Sequence, residues 1–159
     1  MQTAWNDLRE AASHLVNLSV AFALAVPIGW DRERDARSAG LRTFPLVSVA
    51  ACGFVLVAIR ELGSGTPAQA RILEGLITGV GFIGGGAILK NANRASGTAT
   101  AASLWATGAV GASVGYGLYD IGVILSVVTY LTLRRLAPFK DAAKRPGGSD
   151  TARGAGTRN

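Results

Sequence analysis

The longest apolar stretch of this chain constrains its fold more than any other feature. Residues 99–133 form a run of 35 residues in which Asp120 is the only charged side chain. A helix needs about 20 residues, and roughly 17 at minimum, to cross the hydrocarbon core of a bilayer. The run is therefore long enough for two spans. The segment GYGLYD at residues 115–120, with its glycines, tyrosines and acid, is typical of an interfacial turn between them.

Three more apolar blocks precede this run. A content of 49% hydrophobic residues and 21 glycines also departs from the usual soluble composition. The sequence predicts an all-α, polytopic membrane domain over residues 1–136. Its five expected spans lie at about 11–30, 43–59, 72–89, 99–115 and 118–133. Residues 137–159 are rich in Gly, Ala, basic and polar residues, which predicts a disordered basic cytoplasmic tail.

The distribution of basic residues predicts how the spans are oriented. With the N-terminus outside, thirteen Lys and Arg residues lie in inside segments, and three, Arg9, Arg60 and Arg71, lie outside. Short loops rich in Lys and Arg stay cytoplasmic, so we expect an N-out, C-in topology. Topology also explains the formal net charge of +6. The lipid bilayer is the expected partner, and no nucleic acid is expected.

The third apolar block contains the glycine-rich stretch GVGFIGGGAIL at residues 79–89. Its GxGxxG spacing occurs in dinucleotide-binding turns, but those require a preceding strand, and here the glycines lie inside a span. Glycine in a spanning helix lets two backbones approach closely. We expect spans three and four to pack together, with Gly108, Gly111 and Gly115 on the fourth. A loosened helix lining a cavity is the alternative. The residues concerned are Gly79, Gly81, Gly84, Gly85, Gly86, Thr100, Ser103 and Thr107.

Few ionisable residues in or near the spans are candidates for catalysis or ion binding. His14 and Cys52 are the single His and Cys, and no neighbouring acid or ligand is expected beside them, so neither an enzyme nor a cofactor site is predicted. Glu74 and Asp120 are each expected in the first turn of a span, where an acid offsets the helix dipole. A divalent-ion or proton role is the alternative, since Mg²⁺ can be bound through its retained waters. Asn17 requires a partner on another helix.

The first inside loop, GWDRERDARSAGLRTFPLV at residues 29–47, is dense in charge. One interpretation is a solvated connector whose arginines fix topology and whose charges pair locally, as Asp31 with Arg34. Acids contribute little to topology, however, so three of them within residues 31–35 favour a specific site. We predict that Arg42 bridges to Asp31 or Glu33 across the inner ends of spans one and two, using its planar fork of donors.

Three segments of the chain resemble, in the same order, the signature of the MgtC/SapB family of bacterial membrane proteins. GWDRER at residues 29–34 and AGLRT at 39–43 resemble G-x-E-R-E-R and A-G-L-R-T, with Asp31 in place of the usual Glu. TGVGFIGGGAI is similar to TGIGFLGAGAI, and GTATAASLWATGAVG resembles GLTTAATLWATAAIG. The resemblance implies a functional loop of Asp31, Arg32, Glu33, Arg34, Gly40, Arg42 and Thr43.

The resemblance also implies a function. It predicts an inner-membrane regulatory or interaction protein linked to adaptation to magnesium limitation and, in pathogens, to survival inside host cells. Such a protein would bind other membrane proteins, or itself, through a small-residue face. The alternative is a small oligomeric magnesium or proton transporter. Many members carry a soluble domain after the last span, whereas residues 137–159 have little to bury, so the membrane domain alone is expected here.

Overall fold

The computed structural model describes residues 2–34, 39–91 and 94–142. The described residues form five helices, α1 (Gln2–Arg34), α2 (Thr43–Leu62), α3 (Pro67–Gly86), α4 (Thr98–Gly115) and α5 (Tyr119–Ala142). A short antiparallel hairpin of β1 (Leu89–Asn91) and β2 (Arg94–Ser96) joins α3 to α4, with Lys90 opposite Ala95. Each helix covers one apolar block, so the helical fold is confirmed. Residues 143–159 of the expected tail lie outside the described residues.

Several helix boundaries differ from the predicted spans, including the start of α3 at Pro67, five residues before residue 72. Helix α1 begins at Gln2, and its 33 residues extend about 50 Å at ~1.5 Å per residue, well beyond a bilayer core. Helix α5 continues through residues 137–142, which the composition assigned to the tail. Helix α3 ends at Gly86, so the expected third span stops short of residue 89. The three consecutive glycines that close α3 account for this, because glycine has a low helix propensity.

Two of the described helices are long and apolar enough to cross a membrane by length and composition, Ala4–Arg34 and Thr43–Leu62. Helices α3 and α4 consist largely of glycine and other small residues, which contribute little hydropathy. The membrane character predicted for the first two spans therefore agrees with the structure. The crossing of all five helices and their orientation stay predictions.

Helix α4 lies at the centre of the bundle and packs against the other four helices. Ten of its 18 residues are buried. Helix α3 is peripheral, since it packs against α4 and less extensively against α2. One face of α3 is consequently covered by the rest of the chain, and much of its circumference is exposed.

The glycines of α4 contact two neighbouring helices, so the expectation that Gly108, Gly111 and Gly115 all pack against α3 is wrong. A Cβ atom on Gly111 would lie 2.0 Å from the carbonyl oxygen of Ser48, and one on Gly115 would lie 2.9 Å from that of Cys52, both on α2. A Cβ atom on Gly108 would lie 2.9 Å from Val80 Cγ2 on α3. Among these three glycines, the closest approach to another backbone is therefore that of α4 to α2 at Gly111.

Hydrogen bonds fix α1 against its neighbours. Ser48 Oγ donates to the carbonyl oxygen of Ala21 at 2.8 Å, and Ser126 Oγ donates to that of Leu24 at 2.6 Å. The hydroxyl of Tyr119, at the start of α5, donates to Asn17 Oδ1. The prediction that Asn17 finds a partner on another helix is thus confirmed. These bonds and the glycine contacts hold α1, α2, α4 and α5 as one unit.

Candidate functional site

The motif residues of the first loop meet where α1 ends and α2 begins. A Cβ atom on Gly29 would lie 3.3 Å from both the carbonyl oxygen of Gly40 and Cβ of Phe44, so the chain reverses against the end of α1 at this glycine. Ile28 and Phe44 are fully buried beneath the reversal. We call this region, residues 28–34 and 39–44, the α1–α2 junction.

Arg32 is the buried charge of the α1–α2 junction. Its side chain is 4% exposed, and its Nη2 donates to Asp31 Oδ2 at 2.5 Å. A buried guanidinium requires such a partner, since an unpaired charge away from water is strongly unfavourable. Asp31 therefore pairs with its sequence neighbour and not with Arg34, which is exposed. Arg32 has a structural role at the base of the junction.

Glu33 supplies a negative charge to the N-terminus of α2. Its Oε2 accepts a hydrogen bond from the backbone N–H of Leu41 at 3.1 Å. Leu41 directly precedes Arg42, the N-cap residue of α2, so the carboxylate from α1 lies close to the positive end of that helix. A Cβ atom on Gly40 would meet this carboxylate and would lie 3.2 Å from Cα of Glu33, so any other residue at position 40 would require the Glu33 side chain to move.

The prediction that Arg42 bridges to Asp31 or Glu33 is wrong. Asp31 is engaged by Arg32, and Glu33 by the backbone of Leu41. Arg42 is exposed and takes part in no ion pair within residues 2–34, 39–91 and 94–142. The arginine with a buried side chain is Arg32. Arg42 lies instead at the rim of a groove, beside the half-buried Thr43.

That groove, which the sequence did not predict, runs between α2 and α3 and encloses about 850 Å³. Gly75 and Gly79 of α3 face it, as do the apolar side chains Leu46, Ala50, Phe54, Ile72, Leu76 and Phe82. We call it the α2–α3 groove. Small residues on the facing sides of α2 and α3 could have indicated this groove, but the sequence does not show that the two helices leave a space between them.

Of the α3 glycines expected to pack against α4, Gly84 does so. A Cβ atom on Gly84 would lie 3.1 Å from the carbonyl oxygen of Ala101, and Val80 lies against Gly108. A Cβ atom on Gly79, Gly81, Gly85 or Gly86 would meet nothing within 4 Å. The expected packing of Gly81 and Gly85, two members of the predicted set, against α4 is therefore wrong, because residues 80 and 84 occupy the face toward α4, and their successors are rotated by about 100°.

The displaced glycines belong to an exposed stripe on the far side of α3. Glu74, Thr78, Gly81 and Gly85 follow one another at spacings of four, three and four residues, and all of them are exposed. The Thr78 hydroxyl donates to the carbonyl oxygen of Glu74 at 2.9 Å, within the helix. These residues, which we call the outer stripe of α3, share one helix face that the described chain leaves uncovered.

The two acids considered for ion binding lie at different depths in their helices. Asp120 is in the first turn of α5, as expected. Glu74 is not in the first turn of α3, which begins at Pro67 after the cap residue Thr66, whose Oγ1 accepts from the N–H of Gln69 at 3.3 Å. It follows Pro67 by seven residues, about 10 Å along the axis. No group of three or more His, Cys, Asp or Glu side chains is placed to hold a metal among the described residues.

The buried hydroxyls of α4 bond within their own helix. Ser103 Oγ donates to the carbonyl oxygen of Thr100 at 2.9 Å, and Thr107 Oγ1 donates to that of Ser103 at 2.8 Å. All three side chains are at most 3% exposed. The hydroxyl row therefore forms part of the packed interior. Ser103 and Thr107 donate their hydroxyl protons to backbone carbonyl oxygens of α4.

His14 has an acidic neighbour that the sequence prediction did not anticipate. Its Nε2 lies 3.9 Å from Glu10 Oε1, which is also 3.7 Å from Nη1 of Arg60 on α2. All three side chains are at least 31% exposed, so Glu10 and Arg60 form a solvated ion pair between α1 and α2, with the His14 imidazole beside it. Cys52 is a free, fully buried thiol.

Comparison with known proteins assigns these features to a family. The chain is 40% identical to Protein SrpB of Synechococcus elongatus over 128 residues, which cover 73% of this chain and 70% of the relative. It is 34% identical to YhiD of Escherichia coli K12, named as a candidate magnesium transporter, over 77% of this chain and 60% of YhiD. It is 37% identical to Protein MgtC of Brucella abortus over 77% of this chain and 50% of that protein.

The chain thus spans less than two thirds of the length of YhiD and half that of the Brucella protein. No solved structure matches it. The model of the MgtC family matches residues 18–142, which include the α1–α2 junction, the α2–α3 groove and the outer stripe of α3. This chain belongs to the MgtC family.

Proposed function

We propose that the protein is a regulatory membrane protein that acts in adaptation to magnesium limitation by binding another membrane protein through the outer stripe of α3. Family membership and the magnesium-related names of relatives support the link to magnesium. In this proposal all five helices cross the bacterial inner membrane, N-out and C-in. The excess of Lys and Arg in the segments assigned to the inside supports that orientation.

The outer stripe of α3 is the observation that carries the proposal. Gly81 and Gly85 leave the backbone uncovered over about one helical turn, which suits the close approach of another helix in lipid. Glu74 lies on the same exposed face. A carboxylate at membrane depth is unfavourable against hydrocarbon, so a partner helix with a hydrogen-bond donor would stabilise it. Both features favour a protein partner over lipid on this face.

The packing of the bundle supports interaction more than transport. Helix α4 fills the centre, and its glycines leave only van der Waals separation from the backbone of α2. Ser103 and Thr107 use their hydroxyl protons within α4. An ion path through one copy would have to break these contacts. The alternative, an oligomeric magnesium or proton transporter, draws on Glu74 and Asp120 and on the name of the Escherichia coli relative.

Flux measurements distinguish the two functions. The purified chain is reconstituted into liposomes that contain a Mg²⁺ or pH indicator, and an ion gradient is applied. If the protein is regulatory, the indicator signal should equal that from empty liposomes. Flux that Glu74→Gln or Asp120→Asn removes, and that Glu61→Gln at the exposed end of α2 preserves, would establish transport and overturn the regulatory proposal.

A further inference from the structure

The α2–α3 groove has the polarity of a lipid site. It encloses about 850 Å³, within the range of ligand sites in proteins, roughly 300–1,000 Å³. Arg42 and Thr43 lie at one end, and the other lining residues are apolar side chains and glycines. A molecule that fits this lining has one anionic end and a long apolar body.

The length of the groove matches one leaflet of a bilayer. Its α2 side extends from Arg42 to Phe54, a separation of twelve residues, or about 18 Å of helix. Its α3 side extends from Ile72 to Ile83, about 16 Å. Half of the hydrocarbon core is about 15 Å thick. An acyl chain that begins at Arg42 would therefore occupy the groove and end near the bilayer midplane, whereas a spanning helix would extend far beyond it.

The groove also has room beside the backbone of α3. Gly75 and Gly79 line it one helical turn apart, and a Cβ atom on either would meet nothing within 4 Å. A linear hydrocarbon chain can lie along this flat surface. Phe54 and Phe82, which are 58% and 84% exposed, form the outer edges on the two helices.

Arg42 supplies the charge complement at the open end. It is exposed and pairs with no carboxylate among the described residues, because Glu33 is held by the Leu41 N–H. A guanidinium binds phosphate through two parallel N–H donors. We propose that the α2–α3 groove binds one anionic phospholipid, with an acyl chain along Gly75 and Gly79 and its phosphate bound by Arg42. This site is separate from the outer stripe of α3.

Native mass spectrometry of the full chain in a neutral detergent tests the proposal. Phosphatidylglycerol and phosphatidylcholine with identical acyl chains serve as probes. We expect phosphatidylglycerol to bind about fivefold more tightly, the ratio that one basic residue provides at an anionic surface. Arg42→Gln should abolish this preference. Arg60→Gln, an exposed arginine at the other end of α2, should preserve it.

The apolar part of the site has its own variant pair. Gly79→Leu should fill the groove and remove one bound lipid, whereas Gly81→Leu, an open position outside the groove, should retain it. Equal affinity of the wild type for both lipids would overturn the proposal, as would a preference unchanged in Arg42→Gln. Full lipid binding by Gly79→Leu would also overturn it. A lipid-free dimer that Gly79→Leu dissociates would show that a second copy occupies the groove instead.

Discussion

The contact between Gly111 and Ser48 gives the sharpest test of the packing. A Cβ atom on Gly111 would lie 2.0 Å from the Ser48 carbonyl oxygen and 2.7 Å from its carbonyl carbon. Both are backbone atoms, which cannot rotate away. Ser48 is further held by its hydrogen bond to Ala21 on α1. Gly111→Ala should therefore separate α2 from α4 and also strain the contact of α2 with α1.

The magnitude follows from two opposing terms. Overpacking a well-filled interior costs about 1–3 kcal/mol, and contact with fixed backbone places Gly111→Ala near the upper limit. Replacing glycine by alanine inside a helix recovers about 0.5–1 kcal/mol. The expected net loss in the free energy of unfolding is about 2 kcal/mol. In Gly81→Ala the added methyl meets no described atom within 4 Å, so this variant should show only the stabilisation that alanine gives a helix over glycine.

Thermal unfolding of the purified variants in one detergent measures this difference. For a chain of this size, about 1 kcal/mol shifts Tm by roughly 2–4 °C. Gly111→Ala should therefore lower Tm by about 4–8 °C, and Gly81→Ala should leave it unchanged or raise it by up to about 4 °C. A Gly111→Ala variant as stable as the wild type would refute the close α2–α4 contact. Equal destabilisation by both variants would show that Gly81 is packed inside the chain.

Three further predictions concern single features. Arg32→Gln should lower the free energy of unfolding by about 2 kcal/mol, less than for a fully buried ion pair because Asp31 is 17% exposed. The exposed Arg34→Gln should have little effect, and chemical unfolding measures both. Tyr119→Phe should cost about 0.6 kcal/mol through the lost bond to Asn17, and an unchanged Tm would show that the bond is not formed. Reporter fusions should place residue 65 outside and residues 37, 93 and 145 inside; an inside signal at 65 would contradict the topology.

The sequence predicts the helices well, because the apolar blocks are about as long as one span, or two for residues 99–133, and turn residues separate them. It also identifies the α1–α2 junction, since Gly29, Glu33 and Gly40 lie in contact there. The partners within the junction were not predictable. Three acids and several arginines lie within a few residues, and their spacing does not show which arginine points inward.

The error about which glycines of α3 face α4 has one cause, the rotation of a helix by about 100° per residue. Because of it, a pattern of adjacent glycines does not show whether residues 80 and 84 or residues 81 and 85 face α4. The depth of Glu74 was more predictable. Thr66 and Pro67 form a cap residue followed by proline at the first helical position, which places the start of α3 well before the acid.

Growth at low magnesium with variants of the outer stripe of α3 shows whether the protein acts by binding a partner through this stripe. A deletion strain is complemented with Gly81→Leu or Gly85→Leu, and with Val57→Ala at an exposed position of α2 as the control. A Cβ atom at either stripe position meets no atom of the described residues within 4 Å, so protein abundance should stay normal. We expect lost growth for both stripe variants and full growth for the control. Full growth with Gly81→Leu and Gly85→Leu at normal abundance would contradict a partner-binding role for the stripe.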